Sequence, residues 1–116
     1  MSAASISTIS TTDLASRFAD DVGLHVWNVL NDDYFNGELI PGSRRVPAGR
    51  LGEVLKRSSL AKDAAIVVYC AGPTCPTSRQ AAEKLAAFGY SNVQAYEGGL
   101  EAWKQAGFGV VGTGAK

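Results

Sequence analysis

The stretch VVYCAGPTCPTSRQAA, residues 67–82, carries both cysteines of the chain in one short loop that follows an apolar run. That run, AAIVVYC (64–70), is continuous, rich in β-branched residues and typical of a strand buried on both faces of a sheet. Cys70 therefore falls where the predicted strand ends. Because ligands of open α/β sheets bind beyond the carboxyl ends of the strands, this position favours a functional loop.

The segment after the loop has the signals of a helix start. Thr77 and Gln80 have the spacing of a capping box, and Pro76 stops the helix from extending backwards, so the helix is predicted to begin near Ser78. The loop from Ala71 to Pro76 can then surround an anion with its backbone N–H groups and with the positive end of the helix. We expect these surroundings to lower the pKa of the strand-end thiol and to make it a nucleophile. A lone cysteine there would more often be a small buried apolar residue, but the loop, second thiol and capped helix favour the functional interpretation.

Further patterns alternate along the chain between strand and helix. The runs LHVWNVL (24–30) and NVQAY (92–96) predict strands, and IPGSRRVP (40–47) predicts a turn that leads into a short extended piece. Gly89 and Gly107 fall where helix C-terminal caps should lie. The alternation predicts an α/β domain with a mostly parallel sheet and helices on both faces. The helical patterns are TTDLASRFAD (11–20) behind Thr12 or Asp13 as N-cap, DDYFNG (32–37) as a single turn, AGRLGEVLKR (48–57), TSRQAAEKLAAFG (77–89) and GLEAWKQAG (99–107).

The 116 residues fit one domain. We expect residues 1–8 to be a flexible lead-in or at most a short edge strand, residues 9–111 to form the domain, and residues 112–116 to be a flexible, fraying tail. Eleven Lys plus Arg balance eleven Asp plus Glu, which argues against nucleic acid or a membrane surface as partner. No apolar run approaches the roughly 20 residues of a spanning helix, and the start lacks the regions of a signal peptide. Two cysteines in one loop make no disulfide framework, so we expect free thiols and a cytoplasmic protein.

Four pieces of the sequence occur in a specific order. They are FNGELIPGSRRVP (35–47), the strand that ends in YC (69–70), SRQAAEKLAAFGYSNV (78–93) and YEGGLEAWKQAGFGV (96–110). Together they resemble the single-domain rhodaneses of the sulfurtransferase superfamily, with their Ile-Pro-Gly segment, cysteine loop, alanine-rich helix, Gly-Tyr turn and Gly-Gly-x-x-x-Trp signature. The resemblance runs from about residue 9 to residue 111.

The resemblance implies a five-stranded, mainly parallel sheet and a sulfurtransferase. Cys70 matches the cysteine that accepts a sulfane sulfur as a persulfide and passes it to a thiol or to cyanide. The donor would be thiosulfate, a polysulfide or a small persulfide, no cofactor is required, and a sulfur-relay protein is an expected partner. The residues that would form the persulfide cradle and bind substrate are Ala71, Gly72, Pro73, Thr74, Pro76, Thr77, Ser78 and Arg79.

The chain departs from the family pattern around the second strand. Asn28 and Leu30 stand where the family usually has an acidic residue and arginine, and Glu38 stands where it most often has histidine ahead of Ile-Pro-Gly. These changes remove the usual partners at the strand ends. We expect them to affect stability and loop support more than chemistry.

The loop departs from the family as well. Seven residues separate Cys70 from Ser78, where the family commonly has five. The basic residue nearest to the loop is Arg79, on the helix, so thiosulfate is expected to be a poor donor. The related phosphatases and arsenate reductases keep an arginine after a Cys-x5 loop, and Pro76 occupies that position here, which argues against them.

Three roles are open for Cys75: a structural loop residue, a resolving thiol, or the nucleophile itself. The spacing narrowly favours a resolving thiol, because two sulfurs five residues apart can reach bonding distance within one loop, so that Cys75 could attack a Cys70 persulfide and release sulfide. Two other functions stay open beside sulfur transfer. One is a thiol redox switch with a reversible Cys70–Cys75 disulfide, and the other is a non-catalytic interaction module.

Other residues have plainer interpretations. Trp27 and Trp103 are predicted to be core residues, and two cysteines with one distant histidine, His25, are too few for a structural zinc site. The pair Gly98 and Gly99 either brings backbone close to the loop or forms an ordinary turn. Arg79 either neutralises a donor or is solvated, and the arginines at 44, 45 and 50 form either an anion-binding cluster or a solvated face.

Overall fold

The computed structural model of the protein describes residues 7–20, 23–31, 35, 37–57, 60–72 and 75–112. Five strands of these ranges form a parallel sheet, and the predicted α/β fold with its mainly parallel sheet is confirmed. The strands, in chain order, are β1 (Ser7–Thr8), β2 (His25–Asn28), β3 (Glu38–Leu39), β4 (Arg44–Arg45), β5 (Ile66–Tyr69), β6 (Val93–Tyr96) and β7 (Val111–Gly112). Across the parallel sheet their order is β1-β6-β5-β2-β4, which puts β5 in the middle.

Helices cover both faces of this sheet. They are α1 (Thr11–Asp20), α2 (Leu51–Arg57) after a 3₁₀ turn (Ala48–Arg50), α3 (Thr77–Ala87) and α4 (Gly99–Gln105). Strand β5 explains the continuous apolar run, because Ile66 and Val68 pack on one face while Val67 and Tyr69 pack on the other. Residues of α2 and α3 cover the first face, and residues of α1 and α4 cover the second. Trp27 and Trp103 are core residues, as predicted.

Two short strands near the ends of the described chain pair with other strands of the domain. Ser7 and Thr8 pair with β6, so the end of the predicted lead-in is the edge strand that the sequence allowed. Gly112, which the sequence placed in the tail, pairs with Glu38 in a two-stranded antiparallel sheet of β3 and β7. The backbone groups of each short strand find their partners there, which the glycine-rich composition of 109–116 did not indicate. Residues 113–116 lie outside the described residues.

The capping residues predicted for the C-termini of the helices are confirmed, whereas the one predicted for the N-terminus of α1 is wrong. Gly89 and Gly107 have φ of 98° and 91°, and both close the turn with bonds to the last carbonyls of α3 and α4. The N-cap of α1 is Ser10, whose Oγ accepts the Asp13 N–H at 3.1 Å, and not Thr12 or Asp13 as predicted. Most of the predicted turn at 32–37 lies outside the described residues. None of the helices within the described ranges is both long and apolar enough to span a membrane.

Candidate active site

Cys70 lies at the carboxyl end of the central strand, directly after Tyr69 of β5. Its side chain is fully buried, with 0% exposure, and packs with Leu30, Phe35 and Leu39. The Cys70 Sγ donates a hydrogen bond to the main-chain carbonyl of Cys75 at 3.4 Å. Both cysteines are free thiols, so the loop starts from a buried thiol that faces the backbone of the second one.

The N-terminus of α4 holds the first turn of the loop. The N–H of Leu100 donates to the Cys70 carbonyl at 3.0 Å, and the N–H of Glu101 donates to the Ala71 carbonyl at 2.8 Å. Gly99 has φ of 61°, and a Cβ there would lie 2.5 Å from the Cys70 carbonyl oxygen and 2.8 Å from the Gly72 nitrogen. Of the two interpretations of the glycine pair, close approach of backbone to the loop is therefore the correct one.

The second half of the loop presents Cys75 at the surface. Its N–H donates to the Gly72 carbonyl at 3.1 Å, and its half-buried Sγ donates to Thr77 Oγ1 at 3.4 Å. The predicted capping box is wrong, because the Thr77 hydroxyl bonds to the Cys75 thiol. Helix α3 begins at Thr77, and its N-cap residue, Pro76, makes no side-chain cap bond. Cys75 lines a recess of about 490 Å³ together with Leu30, Ala71, Pro76 and Thr77.

The two thiols differ in acidity, and Cys70 does not have the lowered pKa that the sequence predicted for it. Burial raises the pKa of Cys70, and its hydrogen bond with Cys75 adds to the rise, while the main chain and hydroxyl of Ser78 oppose it only in part. Partial burial also acts to raise the pKa of Cys75. Hydrogen bonds with the Cys70 thiol, with the side chain and main chain of Thr77 and with the main chain of Ala71 outweigh this, so the pKa of Cys75 is lowered. The helix start and loop amides thus favour a thiolate at Cys75, and the expected low pKa of Cys70 is wrong.

Ser78 is the other polar group of the buried site. It is 0% exposed, and its Oγ is the one buried side-chain polar atom of the described residues that has no hydrogen-bond partner. The same hydroxyl acts to lower the pKa of Cys70, which means that it would donate to an anionic sulfur there. The Ser78 hydroxyl is therefore positioned to donate to a negative charge on Cys70.

The predicted basic residue does not enter this site. The Arg79 Nε donates to Glu97 Oε2 at 3.1 Å, in an ion pair whose two side chains are both well exposed. A second recess of about 270 Å³ shares Leu30 and Ala71 with the first. Lys104 is the single cation among the described residues that line these two recesses. It pairs with Glu38 at 2.9 Å. The predicted loop residues Pro73 and Thr74 lie outside the described residues.

The sequence did not predict the groups that support the strand ends. Asn28 is fully buried, and its Oδ1 accepts the Leu30 N–H at 3.0 Å. Arg45 comes from the neighbouring strand, donates to the Leu30 carbonyl and lies over the Phe35 ring at 4.0 Å from its centre. Arg45 thus brings a cation to the backbone of residue 30, the position where the family usually has an arginine side chain. Only its position in the sheet, which depends on β4 lying beside β2, could have indicated this.

Tyr69 is a second supporting residue that sequence reasoning passed over. Its hydroxyl accepts the Ile40 N–H at 3.0 Å and shares a hydrogen bond with Ser43 Oγ at 2.7 Å. The strand before the cysteine loop is thereby joined to the Ile-Pro-Gly turn. A tyrosine at the end of an otherwise apolar strand was the available signal, because a buried tyrosine hydroxyl needs a partner.

The arginine cluster predicted from residues 44, 45 and 50 is divided by the fold. Arg45 supports the loop, while Arg44 and Arg50 line a separate recess of about 460 Å³ beside α2 with Glu53, Val54 and Arg57. None of the described residues that line this recess also lines the recess at Cys75 or the neighbouring recess at Lys104. Within the described ranges, no group of three or more histidine, cysteine or acidic residues is arranged to hold a metal ion.

A comparison with known protein families shows which family this chain belongs to. A family model described as the Rhodanese-like domain matches residues 10–106. The chain belongs to the rhodanese-like domain family. No curated protein matches the sequence.

Solved structures agree with the family assignment. A Bacillus halodurans protein is 28% identical with a TM-score of 0.81, over 92% of this chain and 77% of that chain. The rhodanese-like domain of a protein from Anabaena sp. is 28% identical with a TM-score of 0.78, over 90% and 78% of the two chains. A thiosulfate sulfurtransferase from Pseudomonas aeruginosa is 25% identical with a TM-score of 0.78, over 90% of this chain and 20% of that chain. The fold inferred from the four sequence pieces is confirmed for this rhodanese-like domain.

Proposed function

We propose that this rhodanese-like domain is a sulfurtransferase that carries a sulfane sulfur as a persulfide on Cys70. The donor's sulfur–sulfur bond breaks, a new one forms to the protein, and the donor leaves with the electron pair. A thiol or cyanide then takes the sulfur, and the cysteine returns as a thiolate. No cofactor is needed, because the sulfane sulfur keeps its oxidation state throughout.

The observation that carries this proposal is the buried hydroxyl of Ser78. It is fully buried, has no hydrogen-bond partner among the described residues, and acts to lower the pKa of Cys70. A persulfide anion on Cys70 would give that hydroxyl an acceptor. The close packing of Gly99 against the Cys70 carbonyl also restrains the backbone of Cys70. The Cys70 sulfur and the Ser78 hydroxyl are therefore held in place before the reaction.

The charges around the loop support a donor with low negative charge. Thiosulfate is a dianion, yet Arg79 is paired with Glu97. The recess next to the one at Cys75 is lined by Glu38 and Glu101, with Lys104 as its single described cation. The lining of the recess at Cys75 is largely apolar, with Leu30, Ala71 and Pro76. We therefore propose a polysulfide or a small-molecule persulfide as the donor, and a thiol of a cytoplasmic sulfur-relay protein as a suitable acceptor.

A thiol redox switch is the second candidate function. It is favoured by the hydrogen bonding between Cys70 and Cys75, because neighbouring thiols of unequal acidity can form a disulfide when an oxidant is supplied. An interaction module without chemistry would use the same fold and leave both thiols idle.

The test is the mass of the loop peptide after treatment of the reduced protein with polysulfide. One added sulfur on Cys70, removable by cyanide, would support sulfur transfer, and the double variant Cys70→Ser with Cys75→Ser is the control. Loss of two hydrogens with a Cys70–Cys75 link and no added sulfur would support the switch instead. An unmodified peptide, with partner binding kept in the double variant, would support the interaction module.

A further inference from the structure

The two thiols differ in how a donor can reach them. Cys70 has 0% exposure and is enclosed by Leu30, Phe35 and Leu39, whereas Cys75 is only partly buried and lines the recess of about 490 Å³. A donor larger than a single atom can enter that recess and meet the Cys75 sulfur. To reach Cys70 first, it would have to displace the side chains that pack around this cysteine.

The hydrogen bonds point in the same direction. The Cys70 thiol donates towards the Cys75 residue, to the carbonyl oxygen at 3.4 Å, and so directs its proton to the second half of the loop. The Cys75 sulfur is adjacent to the Thr77 hydroxyl at 3.4 Å, at the start of α3. A negative charge on Cys75 is stabilised by donors on two sides, and the lowered pKa of Cys75 agrees with this arrangement.

We propose, building on the proposed sulfur transfer, that Cys75 bonds the donor sulfur first and that Cys70 receives it from Cys75 in a second step. The family pattern assigns the first attack to the strand-end cysteine. In this chain the longer loop carries a second thiol, and the recess is lined by Cys75 and not by Cys70 among the described residues. Cys75 is then the entry thiol, and Cys70 is the protected carrier.

Both steps balance without an oxidant. In the first, the Cys75 thiolate attacks the outer sulfur of a hydropersulfide RS–SH, a sulfur–sulfur bond forms to Cys75, and RS⁻ leaves with the electron pair of the broken bond. In the second, the Cys70 sulfur attacks the outer sulfur of the Cys75 persulfide, and the proton of the Cys70 thiol passes to the departing Cys75 sulfur. One sulfane sulfur has moved, and no thiol has been oxidised.

The experiment follows sulfur uptake by the full-length variants Cys70→Ser and Cys75→Ser, with the persulfide of glutathione as donor. Samples are quenched with an alkylating agent at short times, and the sulfur content of the loop peptide is measured by mass. Cys70→Ser should still gain one sulfur on Cys75 and should retain it there, because the thiol that would receive the sulfur is absent. Cys75→Ser should load Cys70 more slowly by about tenfold or more, because the more acidic and more accessible thiol is gone.

Two results would overturn the proposal: wild-type loading of Cys70 in Cys75→Ser, or no sulfur on Cys75 in Cys70→Ser. Sulfur absent from the wild type itself would instead reject the proposed function together with this step. A measurement on the unmodified chain guards against misfolded variants. Limited iodoacetamide at neutral pH, with fragmentation of the loop peptide, should label Cys75 before Cys70, and the reverse order would also overturn the proposal.

Discussion

Replacing Gly99 by alanine tests how α4 holds the cysteine loop. The residue has φ of 61°, in the left-handed region, and the added Cβ would lie 2.5 Å from the Cys70 carbonyl oxygen and 2.9 Å from the Ala71 carbonyl carbon. These neighbours are backbone atoms, and they are fixed by the hydrogen bonds from Leu100 and Glu101. Neither can rotate away as a side chain would, so helix and loop must separate.

The magnitude has two parts. The left-handed conformation costs a residue with a Cβ about 1–2 kcal/mol. Overpacking against a rigid neighbour adds about 1–3 kcal/mol. We expect Gly99→Ala to lower the free energy of unfolding by about 2–5 kcal/mol. That is a large part of the roughly 5–15 kcal/mol that is typical of a domain.

Gly107→Ala is the matched control, because Gly107 also has positive φ, at 91°, but a Cβ at that position would have no neighbouring atom within 4 Å. It should lose about 1–2 kcal/mol, the conformational part alone. Urea denaturation followed by tryptophan fluorescence measures both variants. Equal losses would refute the reasoning, since the close approach to the loop would then carry no energy. Loading of sulfur, measured under native conditions, should fall only in Gly99→Ala.

Three further changes test the site and its supports. Thr77→Val removes a hydrogen-bond donor from the Cys75 thiolate, so the pKa of Cys75 should rise, and the alkylation rate of that thiol should increase only at higher pH than in the wild type. Thr77→Ser keeps the hydroxyl and should leave the pH profile of alkylation unchanged. Glu97→Gln releases Arg79 from its exposed ion pair, so stability measured by denaturation should change by no more than about 1 kcal/mol, while the rate with thiosulfate should rise relative to that with polysulfide; an unchanged ratio would show that Arg79 has no part in donor choice. Tyr69→Phe leaves a buried main-chain amide without its acceptor and should cost about 1–3 kcal/mol in the same denaturation assay, whereas no loss would mean that the amide finds another partner.

The elements around the cysteines could be predicted because their signals are local. A continuous β-branched run, two C-terminal glycines and alanine-rich helical spacing each depend on a few neighbouring residues. The helix N-termini were less predictable, since Ser10 and Thr12 are both good capping residues and tertiary packing selects between them. At α3 the Thr77 hydroxyl accepts a hydrogen bond from the Cys75 thiol, and the helix begins without a side-chain cap.

The acidity of the two thiols could not be derived from sequence spacing. It depends on which sulfur is more deeply buried and which one faces the loop amides, and both follow from the path of the loop. The role of Arg45 is similar, because it reaches Leu30 across two strands that are distant in sequence. The contact of Gly99 with the loop was open for the same reason, because the glycine pair fits either a close approach of backbone or an ordinary turn, and only the structure distinguishes the two.

The buried Ser78 hydroxyl has a consequence for the charge that Cys70 can carry. Burial raises the pKa of Cys70 and so opposes an anion at that sulfur, while the main chain and hydroxyl of Ser78 act in the other direction. Under the proposed function, a persulfide on Cys70 meets the same two opposing effects, because it is held in the same buried surroundings. Ser78 therefore decides, against the effect of burial, how much negative charge the bound sulfur can carry inside the folded domain.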